Sequence, residues 1–397
     1  MSERLLIIKW LFMMVLSLGI SGCATGIARL QPATEADLEH VLSGVVLFGK
    51  ESVDLELPVE NVLGLDTEVT DFLDRVTRGI RSDQQKLKVF LKALFDPLQL
   101  AMVYEDRATL TASEVFRERK ANCLSFTTLI VPALRYLGIQ AAFNEVDVPP
   151  VWDLQNRDML ILYHHVNAIA ERSDGRRQVV DINMAEFDVL YPQRMISDQV
   201  AEAQYFNNRA MQYLMEDNFR DAFRYLRKAL ELAPDLSFLW VNLGAIYRKQ
   251  DRLMEAETAY RRALEIAPDS LIAISNLERV YQALGKIEEA GLFRRAAAQF
   301  RNRNPYYLYT LAMSSYVAQE HLAALENIRL AIRRFPGEHR FYFLQGAIYS
   351  ALGDAVKADD SFNSALELSS DQEQERKYRR KIDRLHWDGL HSFVSPW

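Results

Sequence analysis

A disulfide framework is excluded at the outset, because the 397-residue chain has only two cysteines, Cys23 and Cys123. An excess of basic charge is also missing. The formal net charge is -7, which leaves no electrostatic footprint for nucleic acid. No glycine-rich phosphate loop occurs among the 16 glycines. Histidine is scarce too: the seven histidines, with the cysteines and carboxylates, nowhere show zinc-ligand spacing. Asp71 with Asp74 and Glu105 beside Asp106 lack the alternating pattern of a calcium loop, and ordinary helix and turn charges account for them. No cofactor or metal is therefore expected. Beyond the N-terminus no apolar run reaches membrane-spanning length. With 49% hydrophobic and 25% charged residues, what is there reads as a globular chain long enough for two domains.

The N-terminal segment has basic Arg4 and Lys9 ahead of an apolar run, Trp10 to Ile20, that is too short for a permanent span. It reads as a secretion signal over residues 1–22. Ile20-Ser21-Gly22-Cys23 resembles the lipobox of bacterial lipoproteins, which implies cleavage before Cys23 and a lipid on that cysteine. Ala24 follows where an aspartate would favour the inner membrane, so the implied location is the outer membrane, facing the periplasm. A lipidated Cys23 leaves Cys123 without an intramolecular partner in an oxidising compartment. Such a thiol is either buried and inert or kept for its reactivity.

From about residue 203 the chain repeats. Pro234 and Pro268 stand 34 residues apart, Asn302 lies 34 further on, and Pro336 follows after another 34. Ala222, Ala256, Ala290, Ala324 and Ala358 keep one phase, while Ala229, Ala263, Ala297, Ala331 and Ala365 keep a second. Tyr213, Tyr247, Tyr281 and Tyr349 share a third. This period with these residue types is the signature of tetratricopeptide repeats, five of them over residues 203–370, in which small side chains let paired helices approach. The implied all-α superhelix has a groove for a peptide or another protein. Residues 371–397 are expected to supply a capping helix, carrying Ile382, Leu385 and Trp387, and a tail. His321, His339, His386 and His391 read as surface histidines.

Chemistry is expected in residues 65–200, after a linker or packing segment over 23–64. Thr111 to Ala121 reads as a short capped helix, and Asn122-Cys123-Leu124 opens a second that Gly138 closes. Cys123 thus falls on the first turn, where unpaired amides and the positive dipole end favour a thiolate. A nucleophilic thiol wants a histidine and a group to orient it. Met159 to Ala170 reads as a strand with His164 and His165, Ser173 to Gly175 as a turn, and Gln178 to Asn183 as the returning strand with Asp181. A register centred on residue 173 sets His165 opposite Asp181, and one centred on 174 leaves them diagonal. A strict two-residue turn at Asp174-Gly175 would part them.

Asn122-Cys123-Leu-Ser-Phe-Thr at a helix start, His165-Val-Asn167 on a strand and Val-Val-Asp181-Ile-Asn183 on the next resemble the bacterial transglutaminase-like branch of the papain-like fold. The resemblance implies an α+β domain with Cys123 as nucleophile, His165 as general base and then acid, and Asp181 as the orienting carboxylate. It implies attack on an amide or peptide carbonyl through a thioester, resolved by water or by an amine. His165 is preferred to His164 because it leads the His-Val-Asn run. The upstream tryptophan that serves other members as oxyanion donor has no counterpart here. The Cys123 amide is the first candidate, with Asn122 and Trp152 as side-chain candidates and Asn167 as a supporting residue. The expected whole is an α+β transglutaminase-like domain followed by an all-α repeat array. The alternative is a noncatalytic scaffold lipoprotein working through its repeats.

Overall fold

The computed structural model describes residues 31–49, 56–147, 151–153, 159–161, 164–171, 175–182 and 191–369, with the short pieces 375–376, 378–380 and 382. The signal segment 1–22 and Cys23 lie outside the described residues. Helix α1 (Glu35–Ser43) starts from a reciprocal cap in which Asp37 N donates to Thr34 Oγ1 at 3.2 Å and Thr34 N donates to Asp37 Oδ2 at 3.0 Å. It ends at Gly44, whose φ of 69° and whose missing Cβ, 2.7 Å from the Phe223 ring if built, both demand glycine. A short turn of helix, α2 (Val45–Phe48), follows and sets Phe48 edge-on to Phe223. Val41 is buried, and its carbonyl accepts the Tyr247 hydroxyl at 2.5 Å. Residues 41–48 therefore lie against Phe223 and Tyr247.

Two helices, α3 (Thr67–Val76) and α4 (Asp83–Phe95), precede a two-residue strand β1 (Val103–Tyr104). Helix α5 (Ala112–Glu118) begins at a Thr111–Glu114 capping box and stops where Arg119 turns left-handed, φ 58°. Strand β2 (Lys120–Ala121) pairs in parallel with β1, Tyr104 opposite Ala121. Helix α6 (Cys123–Tyr136) follows at once, and ten of its side chains are buried, from Leu124 to Leu134. Burial all round means a helix inside the domain: α6 packs on β3 (Gln140–Asp147) and β6 (His164–Glu171), and also on α3 and α5.

Between β3 and β6 lies a small hairpin, β4 (Val151–Asp153) with β5 (Met159–Ile161). With β7 (Arg177–Val180) and β8 (Gln193–Ile196), strands β3 and β6 form a four-stranded sheet in the order β7-β6-β3-β8, antiparallel throughout. Ala168 pairs with Val180 and Glu171 with Arg177, so the β6–β7 hairpin centres on residue 174 and the diagonal arrangement applies. Strands β3 and β8 were not anticipated from the sequence.

Up to residue 369 the described helices run in five pairs: α7 (Asp198–Met215) with α8 (Phe219–Leu232), α9 (Ser237–Lys249) with α10 (Leu253–Ile266), α11 (Leu271–Ala283) with α12 (Ile287–Arg303), α13 (Pro305–Val317) with α14 (His321–Arg334), and α15 (His339–Ala351) with α16 (Ala355–Leu368). Every alanine of the two periodic series is at most 2% exposed. Gly244 and Gly346 show why small residues recur: a Cβ there would stand 2.5 Å from the Tyr260 and Phe362 rings. Helix α7 begins at Asp198, earlier than the repeat phase suggests, where Arg135 holds Asp198 in a two-pronged ion pair at 2.5 and 2.9 Å. His339 departs from the surface position expected of it. It is buried, its Nδ1 2.6 Å from the Tyr378 hydroxyl, and Tyr378 in turn stacks on Phe343. Of the expected capping segment, Tyr378 and Ile382 join the core of the last pairs, whereas Leu385 and Trp387 lie outside the described residues.

The chain forms two compact units, Met1–Pro58 with Arg209–Phe300, and Val59–Asn208 with Arg301–Trp397. In the second, the sheet and the last repeat pairs share one body. Helix α13 packs on β4, and the Arg340 guanidinium lies over the rings of Tyr191 at 5.5 Å and Tyr306 at 5.6 Å. Glu338 holds that guanidinium from below at 2.8 Å. Glu338 is buried and Arg340 partly so, and each keeps its charge because it is the other's hydrogen-bonding partner.

Candidate active site

Cys123 occupies the first position of α6 because Asn122 caps the helix: Asn122 Oδ1 accepts the Ser125 amide at 2.9 Å. The Asn122 Nδ2 group donates to Thr109 Oγ1 at 3.1 Å and to Asp106 O at 3.4 Å. Both of its N–H bonds are thus engaged within the chain, and its Oδ1 caps the helix start. The cap takes the Ser125 amide, so it leaves the Cys123 amide to other partners. The thiol itself is half-buried.

The Thr127 hydroxyl ties this helix to the sheet. Its Oγ1 lies 2.8 Å from Cys123 O, one turn back, and 3.2 Å from Val166 O on β6. Val166 is the neighbour of His165, so the nucleophile candidate and the imidazole are brought together through main-chain atoms. Strand alternation puts His165 and Asn167 on one face. The register beyond Val180 brings Asp181 level with Asn167 and diagonal to His165.

His165 Nε2 is bonded directly to Asp181 Oδ2, and both side chains are 1% exposed. With Nε2 bonded to Asp181, Nδ1 is the other ring nitrogen. One donor atom from each of Cys123, His165 and Asp181 lies within 4.8 Å of the others. Burial alone would push the imidazole pKa down, but hydrogen bonds to Asp181 and Cys123, with their negative charges, outweigh it and raise it to about 10. The favoured species at neutral pH is an imidazolium.

A chain of amides holds the carboxylate. Asn167 Nδ2 donates to Asp181 Oδ2 at 3.4 Å, and Asn167 Oδ1 accepts from Asn144 Nδ2 at 2.9 Å. Asn144, on β3 and paired with Asn167 in the register, also donates to Gln193 Oε1 at 3.0 Å. Sequence reasoning missed Asn144 and Gln193. The signal available was Asn144-Glu145, two polar residues set between the apolar run Ala141-Ala142-Phe143 and Val146. It missed Tyr104 as well, whose hydroxyl lies 3.8 Å from Cys123 Sγ. Trp152 sits on β4 opposite Leu160, its side chain outside the described residues, as is that of His164.

The same three groups, Cys123, His165 and Asp181, are the cluster among the described residues that could hold a metal ion. Asp181 nonetheless bonds the imidazole itself, which commits one carboxylate oxygen and one ring nitrogen to each other rather than to a common ion. A thiol, an imidazole and an orienting carboxylate in that order can instead generate a thiolate, attack a carbonyl and protonate a leaving group.

Sequence models of the tetratricopeptide repeat match residues 237–270 and 339–372, the α9–α10 and α15–α16 pairs. The chain carries tetratricopeptide repeats. Among solved structures, a MamA protein is 21% identical over 45% of this chain and 95% of its own, with a TM-score of 0.25. MamA 41-end from Desulfovibrio magneticus RS-1 is 17% identical over 43% of this chain and 96% of its own, with a TM-score of 0.25. YrrB, described as a TPR protein with an unusual peptide-binding site, is 17% identical over 45% of this chain and 92% of its own, with a TM-score of 0.24. The matched models and the paired helices identify the repeats. No curated protein matches the chain.

Proposed function

We propose that residues 65–200 are a transglutaminase-like cysteine hydrolase, joined to tetratricopeptide repeats that bind a protein partner or the protein substrate. The observation that carries this reading is the convergence of Cys123, His165 and Asp181 within 4.8 Å, supported by the direct Asp181–His165 bond. In the reaction, the Cys123 thiolate adds to an amide carbonyl, forming a C–S bond as the carbonyl electron pair moves to oxygen. Collapse of that adduct breaks the C–N bond. His165 gives its proton to the departing amine and then takes one from water, whose hydroxyl adds to the thioester; breaking the C–S bond releases the acid and restores the Cys123 thiolate beside the protonated imidazole. Asp181 holds the imidazole, and Asn167 holds Asp181. Water is the resolving nucleophile in this proposal, and an amine in its place would make a transamidase.

The repeats support a second, noncatalytic element of the reading, that of a scaffold for other proteins. The packing of α13 on β4 within one unit favours joining the two roles, with a repeat-bound polypeptide as the substrate. The lipobox-like Ile20-Ser21-Gly22-Cys23 supports placing the protein at the outer membrane, held by a lipid on Cys23 and facing the periplasm.

The test is alkylation of Cys123 as a function of pH in full-length protein, with and without His165→Ala. A thiol activated by His165 reacts well below the pH of a free cysteine, and His165→Ala moves the profile. Reaction at the free-thiol pKa of about 8.5 in both proteins would remove the case for a nucleophile. A Cys123→Ala protein that retains full function in cells would leave only the scaffold.

A further inference from the structure

The adduct formed when a thiolate attacks a carbonyl needs donors for its oxyanion. Asn122 has both amide hydrogens committed to Thr109 and Asp106. Asn167 is buried behind Asp181. Tyr104 is placed differently. Its hydroxyl lies 3.8 Å from Cys123 Sγ, and 38% of the residue is exposed.

Its position is built into the main chain. Strand β1 pairs with β2 through Val103 N to Arg119 O and Glu105 N to Ala121 O, each at 3.0 Å, and β2 ends two residues before Cys123. Lys120 adds an ion pair to Glu105 at 3.5 Å across the same two strands. Tyr104 is thus held between two ladder bonds on the segment that leads directly into the Cys123 helix.

We infer that the Tyr104 hydroxyl is a catalytic oxyanion donor for acyl transfer to Cys123, acting together with the Cys123 backbone amide; this rests on the cysteine-hydrolase reading. In the resting site the thiol faces the phenol oxygen. When the C–S bond forms, the carbonyl π electrons move onto oxygen, one bond away from the carbon that sulfur has attacked. A donor about 4 Å from sulfur is then at roughly the 3 Å separation that stabilises such an anion. The phenol O–H donates without losing its proton, and collapse of the adduct returns the electron pair to the carbonyl.

The experiment compares two electrophiles on full-length wild type and Tyr104→Phe. Acetylation by p-nitrophenyl acetate passes through an oxyanion, whereas alkylation by iodoacetamide displaces iodide and does not. Tyr104→Phe should slow acetylation of Cys123 on the order of 10²-fold while leaving alkylation within about twofold. Equal rates in both assays would overturn the inference, and so would a parallel fall in both, which would assign the hydroxyl to the thiol itself. The hydrolase reading fails separately: wild-type Cys123 would then acetylate no faster than a cysteine in a short peptide, and the role of Tyr104 would fall with it. A fast wild-type rate that Tyr104→Phe leaves unchanged removes Tyr104 alone.

Discussion

Ala229, Ala263, Ala297, Ala331 and Ala365 fill the same kind of place five times over, each fully buried between paired helices. His165, Asp181, Asn167, Asn144 and Gln193 form one chain of polar contacts that occurs once, across four different segments of the sheet domain. The alanines act by being small, so any one of them tolerates only small side chains but needs no particular partner. The polar chain acts through directed bonds in a dry setting, where an unpartnered group is costly. The repeat half is therefore specified redundantly and locally, and the sheet domain by a few groups whose positions depend on long-range strand pairing.

The sharpest test of that contrast is pH, and the largest effect is expected from it. The imidazole of His165 titrates at about 10 in the folded protein, above its ordinary value of 6.5. A raised folded pKa means that the folded state holds the proton more tightly, so this stabilisation is complete below about pH 6.5 and is lost as pH rises through 10. Urea midpoints of wild type and His165→Gln should converge between those limits, with wild type losing stability relative to the variant. Parallel midpoints would show that the Asp181–His165 bond does not stabilise the protonated ring.

A change in the repeats should act by volume and stay local. Gly244→Val places a Cβ where only 2.5 Å separates it from the Tyr260 ring, and overpacking of this kind costs about 1–3 kcal/mol. Denaturation should show that loss while iodoacetamide reacts with Cys123 at the wild-type rate. A slowed thiol would mean that overpacking in the repeats is felt at the site. The smallest effect belongs to the helix start: Asn122→Ala removes the cap on Ser125 and should cost about 1 kcal/mol. Because that cap also sets Cys123, the alkylation rate should change with it, and an unchanged rate would separate the cap from the site.

The same contrast governs how much was legible in the sequence. The repeats announce themselves because each unit restates the rule for the next, down to the phase shared by Gly244 and Gly346. Asn122 before Cys123 signals a helix start locally, and the β6–β7 hairpin needs only a turn between two apolar runs. Its register, open between two centres in the sequence, is settled at 174 by pairings such as Ala168 with Val180. Strand β8 pairs with β3 from about 50 residues away, and the two-residue strands β1 and β2 are too short to show any period. Tyr104 was hidden for that reason. His339 was misplaced because nothing local shows that Tyr378 comes back to cover it.

One hydroxyl has a wider consequence. Thr127 Oγ1 touches the carbonyl of Cys123 and the carbonyl beside His165, so the spacing of sulfur and imidazole is gauged between two backbones by a single atom. Side-chain rotation at Cys123 or His165 can vary around that gauge, but helix and strand cannot slide past each other by a residue without breaking it. The site thereby behaves as a vernier, coarse in its flexible ends and fixed at its hinge mark.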